Sequence, residues 1–256
     1  AASGGNITSN GGAAITARGV CWGTSASPTV AGSHSNDGTG NGLFTSSITG
    51  LTPGTVYYAR AYATNSVGTA CGFQIEWCRS IADVEGNIYR IVKIGNQLWM
   101  AENLRTTKYT DNSDIPYVTD AEEWSGLTTP AYCWYANNIS YRTPHGALYN
   151  WITVTTDILC PTGWHVPTDD EFNTLELYLG IPANDINTWG WRGTNEGSEM
   201  KSTSGWGTGE NGTNTSGFTA LPGGYRYAAD GLYYSLGTLA YWWTASLADT
   251  DIAWYR

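Results

Sequence analysis

The residues best suited to chemistry in this chain lie around a short aromatic segment. His165 follows Trp164 and comes shortly before Asp169 and Asp170, so an acid–base pair or a metal site could form there. A single histidine at the end of a strand is more often a packing residue held by a hydrogen bond. We therefore predict no catalytic residue in this cluster.

A second polar group, from Asp111 through Asn112 and Ser113 to Asp114, supplies several oxygen atoms within one tight loop. Oxygen ligands of this kind suit calcium. The spacing of an EF-hand is absent, and a solvated turn explains the same residues equally well. Asp111 and Asp114 are accordingly weak candidates for a calcium site, and no other cofactor is predicted.

Motifs for nucleophilic or redox chemistry are missing from the sequence. No Gly-x-Ser-x-Gly, P-loop or His-Glu-x-x-His pattern is present. A hydrolase built from unpatterned acids such as Glu196, Glu199 and Glu210 stays open, because glycosidase carboxylates are paired in space rather than in sequence. The chain has five cysteines with no Cys-x-x-Cys spacing: Cys21, Cys71, Cys78, Cys133 and Cys160.

The segment from Tyr225 to Arg256 is the best candidate for binding. It holds six tyrosines and three tryptophans but no Lys, Glu, Gln, Met or Asn. Tyrosine, serine and alanine on a rigid scaffold form the adaptable mixture found in antibody paratopes. Trp242, Trp243 and Trp254 are predicted to be core residues of strands. Recognition is predicted on five residues with two aspartates at the rim: Tyr227, Tyr233, Tyr234, Leu239, Tyr241, Asp249 and Asp251.

Composition and charge narrow the classes of partner. Charged residues make up only 13% of the 256 residues, whereas there are 13 tryptophans and 17 tyrosines. The formal net charge is -10, so the phosphates of a nucleic acid would be repelled. The apolar runs are too short for a membrane span, and the opening Ala1-Ala2 has no basic segment, as expected of a mature or trimmed extracellular product.

Residues 1–76 predict a small all-β sandwich, because short β-rich runs alternate with Gly, Ser, Thr and Asn clusters. The segment Leu51 to Tyr57 is similar to the turn and following strand of fibronectin type III-like domains. In such a domain Trp22 would be the core aromatic. The resemblance also implies that the opening strand of the domain is lacking here.

Residues 79–256 predict an α+β domain with one clear helix. Thr168 and Glu171 have the spacing of a capping box, and Gly180 marks a helix end, so the helix is expected over Asp169–Leu179. Its acidic residues, Glu176 among them, are expected on an exposed face.

The other elements of this domain are shorter. A helix is predicted after Thr119, where Glu122 repeats the capping-box spacing. Strands are predicted at 88–94, at 131–135, at 147–154, and as a final pair at 240–246 and 252–255.

Seven ordered blocks of this second domain resemble the Fibrobacter succinogenes major paralogous domain. They are spread over the whole domain, so the resemblance is not local. The blocks are Asp83–Tyr89, Gly95–Arg105, Ala131–Tyr135, Gly146–Trp151, Leu159–Gly180, Ser216–Arg226 and Ala253–Arg256.

The resemblance implies a C-type-lectin-like fold, shared with formylglycine-generating enzymes and with the variable proteins of diversity-generating retroelements. Those enzymes use cysteines late in the chain, and none follows Cys160 here. Members of the family usually continue beyond the block that ends at Arg256 to a strand with a cysteine. The domain is therefore expected to lack its last strand, and Cys160 its partner.

These observations predict a non-enzymatic, extracellular or cell-surface module, part of a larger surface protein or assembly, that binds a protein or glycan ligand and neither nucleic acid nor membrane. One alternative is a retroelement-diversified receptor with the same face, because the absence of asparagine after Tyr225 is compatible with adenine mutagenesis of Asn codons. The other is an extracellular enzyme acting on polysaccharide or on protein side chains.

Overall fold

The computed structural model describes residues 2–52, 55–78, 80–250 and 252–256. It divides into two compact units, Ala1–Ser80 and Ile81–Arg256. Within the described residues, short β-sheets dominate both units, so the predicted β-rich character is confirmed. None of the helices in this part of the chain combines the length and the apolar character that a bilayer crossing requires.

In the described residues of the first unit there are six antiparallel strands. Strand β1 pairs with β4, and the order β3-β2-β5-β6 forms a four-stranded sheet. Phe44 and Ala59 are buried in a cluster that draws on both sheets, and Trp22 packs against its edge, half-buried. Phe44 rather than Trp22 is thus the buried aromatic of this core. The strands are β1 Ala2–Ile7, β2 Ala17–Gly23, β3 Ser33–His34, β4 Gly42–Ser47, β5 Val56–Thr64 and β6 Thr69–Cys78.

The second unit is built from two-stranded antiparallel sheets and short helices. Its strands pair as β7-β8, β9-β10, β11-β12, β13-β14 and β15-β16. The strands are β7 Ile81–Ala82, β8 Ile88–Tyr89, β9 Ile91–Ile94, β10 Gln97–Met100, β11 Tyr132–Cys133, β12 Leu148–Tyr149, β13 Gly223–Arg226, β14 Tyr233–Leu236, β15 Trp243–Asp249 and β16 Ile252–Tyr255. The helices are α1 Ala121–Ser125, α2 Arg142–His145, α3 Trp151–Val154, α4 Asp169–Leu179 and α5 Glu196–Met200, with 3-10 turns at Tyr135–Asn137 and Ile139–Tyr141.

Helix α4 begins and ends where the sequence predicts. The Thr168 hydroxyl accepts a hydrogen bond from the Glu171 amide at 3.2 Å, and the Glu171 carboxylate accepts one from the Thr168 amide at 2.8 Å. Gly180 ends the helix in a left-handed conformation with a φ of 113°. The predicted capping box and helix bounds are confirmed.

The apolar face of α4 packs on the β9–β10 hairpin. Phe172 and Leu175 are buried against Ile94 and Trp99, and the rings of Trp99 and Phe172 lie 5.0 Å apart. Trp242 is partly buried on the same cluster, as predicted for a core tryptophan. This packing fixes the helix on the body of the unit.

The expectation of an exposed acidic face on α4 holds for Asp170 but is wrong for Asp169 and Glu176. Glu176 is only 8% exposed, and its carboxylate accepts two hydrogen bonds of 2.8 Å from the Arg192 guanidinium. Asp169 lies 2.6 Å from the guanidinium of Arg256. The sequence pattern of the helix does not reveal these partners, because both arginines come from distant parts of the chain.

Three other predicted elements differ from the structure. The short helix α1 is capped by Asp120, not Thr119, and the Asp120 carboxylate accepts from the Glu123 amide at 2.9 Å. The strand predicted at 147–154 ends at Tyr149, because Asn150 caps helix α3 by accepting from the Thr153 amide at 3.1 Å. The predicted strand at 88–94 is interrupted at Arg90, between β8 and β9. The final predicted pair is present as β15 and β16.

Replacement of Thr168 by alanine tests the capping box. We expect Thr168→Ala to lower the free energy of unfolding by about 1 kcal/mol, the typical cost of losing an N-cap, with no change in denaturant slope. Urea unfolding measures both quantities. Thr174→Ala is the matched control, because this exposed threonine of the same helix only donates to the Asp170 carbonyl. An equal effect of the two substitutions would contradict the cap.

Candidate functional site

A buried arginine positions the β13–β14 hairpin, which carries the exposed Tyr227 and Tyr234. Arg226, at the end of β13, is buried, and its guanidinium lies 4.4 Å from the ring centre of Trp124 and 4.9 Å from that of Tyr233. It also donates to four backbone carbonyls at 2.7 to 2.9 Å, those of Val118, Thr119, Asp120 and Gly231. The β13–β14 hairpin is thereby tied to the start of α1.

Gly231 shows how close this contact is. Its φ is 67°, and a β-carbon added there would lie 2.1 Å from the Ala121 carbonyl oxygen. No other residue type fits without moving the helix backbone. The turn between β13 and β14 therefore packs directly against α1.

Six aromatic rings, five exposed and one half-buried, form a continuous row on the two C-terminal hairpins, which we name the tyrosine strip. Neighbouring rings have centres 5.1 to 6.5 Å apart, mostly edge to face, as aromatic side chains prefer. The members are Tyr225, Tyr227, Tyr234, Tyr241, Trp243 and Tyr255.

Strand pairing sets the order of the strip. Tyr225 is opposite Tyr234 in the β13–β14 pair, and Trp243 is opposite Tyr255 in the β15–β16 pair. Tyr241 joins the two hairpins, because its ring centre is 5.1 Å from both Tyr225 and Tyr255. Cross-strand aromatic pairs of this kind stabilise a sheet and hold each other's rotamers.

Hydrogen bonds also fix the orientation of two rings of the strip, those of Tyr234 and Trp243. The Tyr234 hydroxyl donates to the Asp230 carboxylate at 2.7 Å, and this hydrogen bond raises the pKa of Tyr234. The indole of Trp243 donates to the Tyr149 carbonyl at 2.9 Å. Burial raises the pKa of Tyr241. Tyr234 and Tyr241 consequently stay uncharged at neutral pH, and the surface they present is polar only at their hydroxyl groups.

The strip is open to solvent despite this ordering. Tyr227 is 51% exposed and Tyr255 is 54% exposed. Tyr234, Tyr241 and Trp243 are exposed as well. Exposed and fixed aromatic rings are the groups that dominate interfaces once a partner covers them.

The predicted recognition residues are only partly brought together. Tyr227, Tyr234 and Tyr241 lie in the strip. Tyr233 faces the other way, against Arg226 and Tyr135, and its hydroxyl donates to the Asn137 side chain. Burial raises its pKa, so it acts as a supporting residue of the hairpin.

The remaining predicted residues lie outside the strip or outside the described residues. Leu239 is half-buried, and its carbonyl accepts from the Gly224 amide at 2.9 Å. Asp249 is exposed at the end of β15 and accepts from the Thr250 amide at 2.7 Å. Asp251 is not among the described residues.

Sequence reasoning missed Tyr225, Trp243 and Tyr255 as surface residues. The expectation that Trp243 lies in the core is wrong, because it is exposed opposite Tyr255. Trp254, also predicted in the core, is half-buried beneath the Trp189 ring. Aligning the two predicted strands in an antiparallel register would have revealed the Trp243–Tyr255 pair.

The weak calcium candidates are both engaged with protein groups. The Asp111 carboxylate accepts from the Ser113 amide at 2.9 Å and from its hydroxyl at 2.6 Å, and these hydrogen bonds lower the pKa of Asp111. Asp114 pairs with Lys108 at 2.6 Å. Among the described residues, no three His, Cys, Asp or Glu side chains are gathered in a metal-binding arrangement.

The described thiols are free, and burial disfavours the thiolate form of Cys133 and Cys160. Cys21, Cys71, Cys133 and Cys160 are unpaired, and the side chain of Cys78 is not described. Burial raises the pKa of Cys160 to about 12 and also raises that of Cys133. A thiol in such an environment holds its proton at neutral pH.

The three glutamates considered as hydrolytic acids are each engaged with neighbouring protein groups. Glu196 is buried and accepts from the Thr194 amide at 2.6 Å, which lowers its pKa. Glu199 accepts from the Asn195 side chain at 2.9 Å, and Glu210 lies 3.9 Å from Lys201. These contacts stabilise the ionised carboxylates.

His165 is joined to the capping box of α4. Its Nε2 atom lies 2.8 Å from Glu171 Oε1, and the side chain of His165 is largely exposed. Burial raises the pKa of Glu171, but the hydrogen bonds from the Thr168 amide and from His165 outweigh it, so the net pKa is lowered. This histidine thus supports the ionised form of a structural carboxylate.

The second unit is a β-rich domain of short hairpins around one long capped helix. The family model described as the Fibrobacter succinogenes major domain matches residues 92–256, and the chain belongs to this bacterial family. The predicted family is thereby confirmed.

Comparisons with individual proteins add little. No curated protein matches the chain. The chain shows some likeness to a solved structure of the twitchin kinase region from C. elegans, at 20% sequence identity and a TM-score of 0.17. The match covers 46% of this chain and 18% of that one. At that TM-score it carries no inference about the fold.

The lowered pKa of Glu171 predicts a pH dependence. Because its folded-state pKa is depressed, the stability it contributes is present above the ordinary glutamate pKa and is lost as the pH falls through the folded value. We expect Glu171→Gln to be less stable than the unaltered protein at neutral pH, with the difference shrinking on acidification. Urea unfolding across this pH range measures it.

Glu122→Gln is the matched control, because Glu122 is an exposed glutamate in the first turn of α1. Its effect should be small and nearly independent of pH. A Glu171→Gln difference that grows on acidification would contradict the assigned role.

Proposed function

We propose that this protein is a non-enzymatic ligand-binding or adhesion module and that the tyrosine strip is its recognition face. The observation that carries the proposal is that six aromatic rings pack side by side, five of them exposed, on hairpins that are held in place by buried contacts. Interfaces are enriched in tyrosine and tryptophan, and binding energy concentrates on a few such anchors.

The order of the strip lowers the cost of binding. A flexible side chain loses rotamer entropy when a partner immobilises it, at about 0.5–1.5 kcal/mol each. Here Tyr225 and Tyr234 already stack, with ring centres 5.6 Å apart, and Asp230 holds the Tyr234 hydroxyl. A ligand would therefore meet a surface whose rings are already in place.

The strip also has the chemistry of a versatile contact surface. Each tyrosine joins a flat apolar ring to one hydroxyl that both donates and accepts. Antibody paratopes use the same residue for this reason. The proposed ligands are extracellular proteins or glycans, whose surfaces offer both apolar and hydroxyl or amide groups.

The proposal also covers the type of each domain and the location of the protein. We assign residues 1–76 to a fibronectin type III-like β-sandwich that acts as a stalk, and residues 79–256 to a C-type-lectin-like domain that presents the face. The module would be secreted or at the cell surface. The family membership and the acidic net charge of -10 are compatible with that setting.

Alanine variants of the strip test the proposal once a glycan and protein array has supplied a ligand. We expect at least one of Tyr227→Ala, Tyr234→Ala and Tyr241→Ala to weaken binding at least about tenfold with little change in Tm, because truncating an interface anchor commonly costs about 2 kcal/mol or more. Titration calorimetry and thermal unfolding give the two quantities.

Two controls accompany these variants. Tyr178→Ala removes an exposed tyrosine of helix α4 and should leave binding unchanged. Tyr233→Ala removes the ring against Arg226 and should lower Tm instead. Asp249→Asn, at the predicted rim, should alter mainly the association rate and its salt dependence. Normal binding by all three strip variants would rule out the strip as the recognition face.

The same proposal predicts no formylglycine-generating activity. No cysteine follows Cys160 in the sequence, and burial raises the pKa of Cys160 to about 12. We therefore expect no reactive thiolate in this part of the chain. A sulfatase-type cysteine peptide incubated with the full chain should keep its thiol, as read by mass spectrometry. Conversion of that cysteine would favour the enzyme alternative.

A further inference from the structure

A second aromatic surface lies on the other face of the β15–β16 hairpin, and nothing in the tyrosine strip includes it. Trp189 is 71% exposed and Trp191 is 90% exposed, both in the loop that follows helix α4. The Trp189 ring packs on Trp254 of β16, with centres 4.4 Å apart. We name these three residues the tryptophan platform.

The loop that carries the platform is held by buried contacts. Arg192, directly after Trp191, forms a two-pronged ion pair with Glu176, and both side chains are nearly buried. The Arg192 guanidinium also donates to the Thr188 carbonyl at 3.4 Å. Residues on both sides of Trp189 and Trp191 are thus tied to helix α4, and the two indoles are presented from a fixed backbone.

Trp254, on which the Trp189 ring packs, contacts the same network of ion pairs. Arg256 lies 5.8 Å from the Trp254 ring centre, 2.6 Å from Asp169 and 3.1 Å from Glu176. Glu176 therefore joins Arg192 to Arg256. Two arginines and two carboxylates neutralise one another beneath the indoles, so this network leaves no net charge to attract an ionic ligand.

The shape and the chemistry of the platform indicate its ligand. Trp191 stands almost fully in solvent, so its indole offers an open flat face rather than a walled pocket. A pyranose ring needs no pocket, because its C–H face stacks on an open aromatic plane while its hydroxyls bond to polar neighbours. Asn184, exposed on the same loop, can supply an amide donor and acceptor for those hydroxyls, and Asn187 can supply a donor, because its amide oxygen accepts from the Asn173 side chain at 3.3 Å.

We infer that the tryptophan platform is a binding site for neutral polysaccharide, in which sugar rings stack on Trp189 and Trp191. The neutral ion network disfavours acidic polymers and phosphorylated ligands. Two open indoles on a fixed loop suit successive rings of an extended chain better than a single small molecule. The inference is independent of the proposed function of the tyrosine strip.

Affinity electrophoresis of the full chain tests the inference, with gels that contain soluble neutral β-glucan, xylan or glucomannan. We expect at least one of these polymers to retard the unaltered protein. Trp191→Ala should raise the apparent Kd at least about fivefold, in line with the loss of one stacked ring, and should leave Tm unchanged because the side chain is exposed. Trp191→Tyr should restore most of the binding.

Matched variants separate this site from the tyrosine strip. Tyr178→Ala, which removes an exposed aromatic residue outside both the platform and the strip, should be retarded as strongly as the unaltered protein. Tyr241→Ala probes the strip separately. Failure of all three polymers to retard the unaltered protein would overturn the inference, as would normal retardation of Trp191→Ala. Loss of retardation in Tyr241→Ala alone would assign the sugar to the strip, and binding of peptides but of no glycan would replace the sugar by a protein partner.

Discussion

The candidate recognition face depends on one buried cation. The guanidinium of Arg226 has backbone carbonyls as its hydrogen-bond acceptors and two aromatic rings as its walls. Those carbonyls belong to Val118, Thr119 and Asp120, which lead into helix α1, and removal of the cation would leave the carbonyl of the buried Val118 without its side-chain donor, at a cost of about 1–3 kcal/mol. One side chain therefore joins the start of a helix to the hairpin that carries Tyr225 and Tyr234.

A second arginine has the corresponding role on the other side of the unit. Arg256 links the last strand to helix α4 through Asp169 and Glu176, and Glu176 passes the connection to Arg192 in the following loop. The hairpin of the strip is thus tied by a cation to backbone carbonyls and aromatic rings, whereas the platform is supported by ion pairs. Ion pairs that are nearly buried contribute little net stability but are costly to break singly, which favours one fixed arrangement.

The sequence predicts local elements well and their surroundings poorly. Thr168 and Glu171 predict the cap and the start of α4 correctly, because a capping box is a contact between near neighbours. The burial of Glu176 was missed, since its partners lie 16 and 80 residues further along the chain. Tyr233 and Tyr234 show the same limit, because adjacent strand residues face opposite ways and only the pairing with β13 tells which one is outward.

The alternation of side chains in β16 has a consequence for how the surface could change over evolutionary time. Trp254 and Tyr255 are neighbours in the chain, yet one belongs to the platform and the other to the strip. Insertion or deletion of a single residue near the β15–β16 turn would exchange their faces and damage both surfaces at once. This hairpin can therefore acquire new specificity by substitution, whereas changes of length are constrained to keep the parity of the strand.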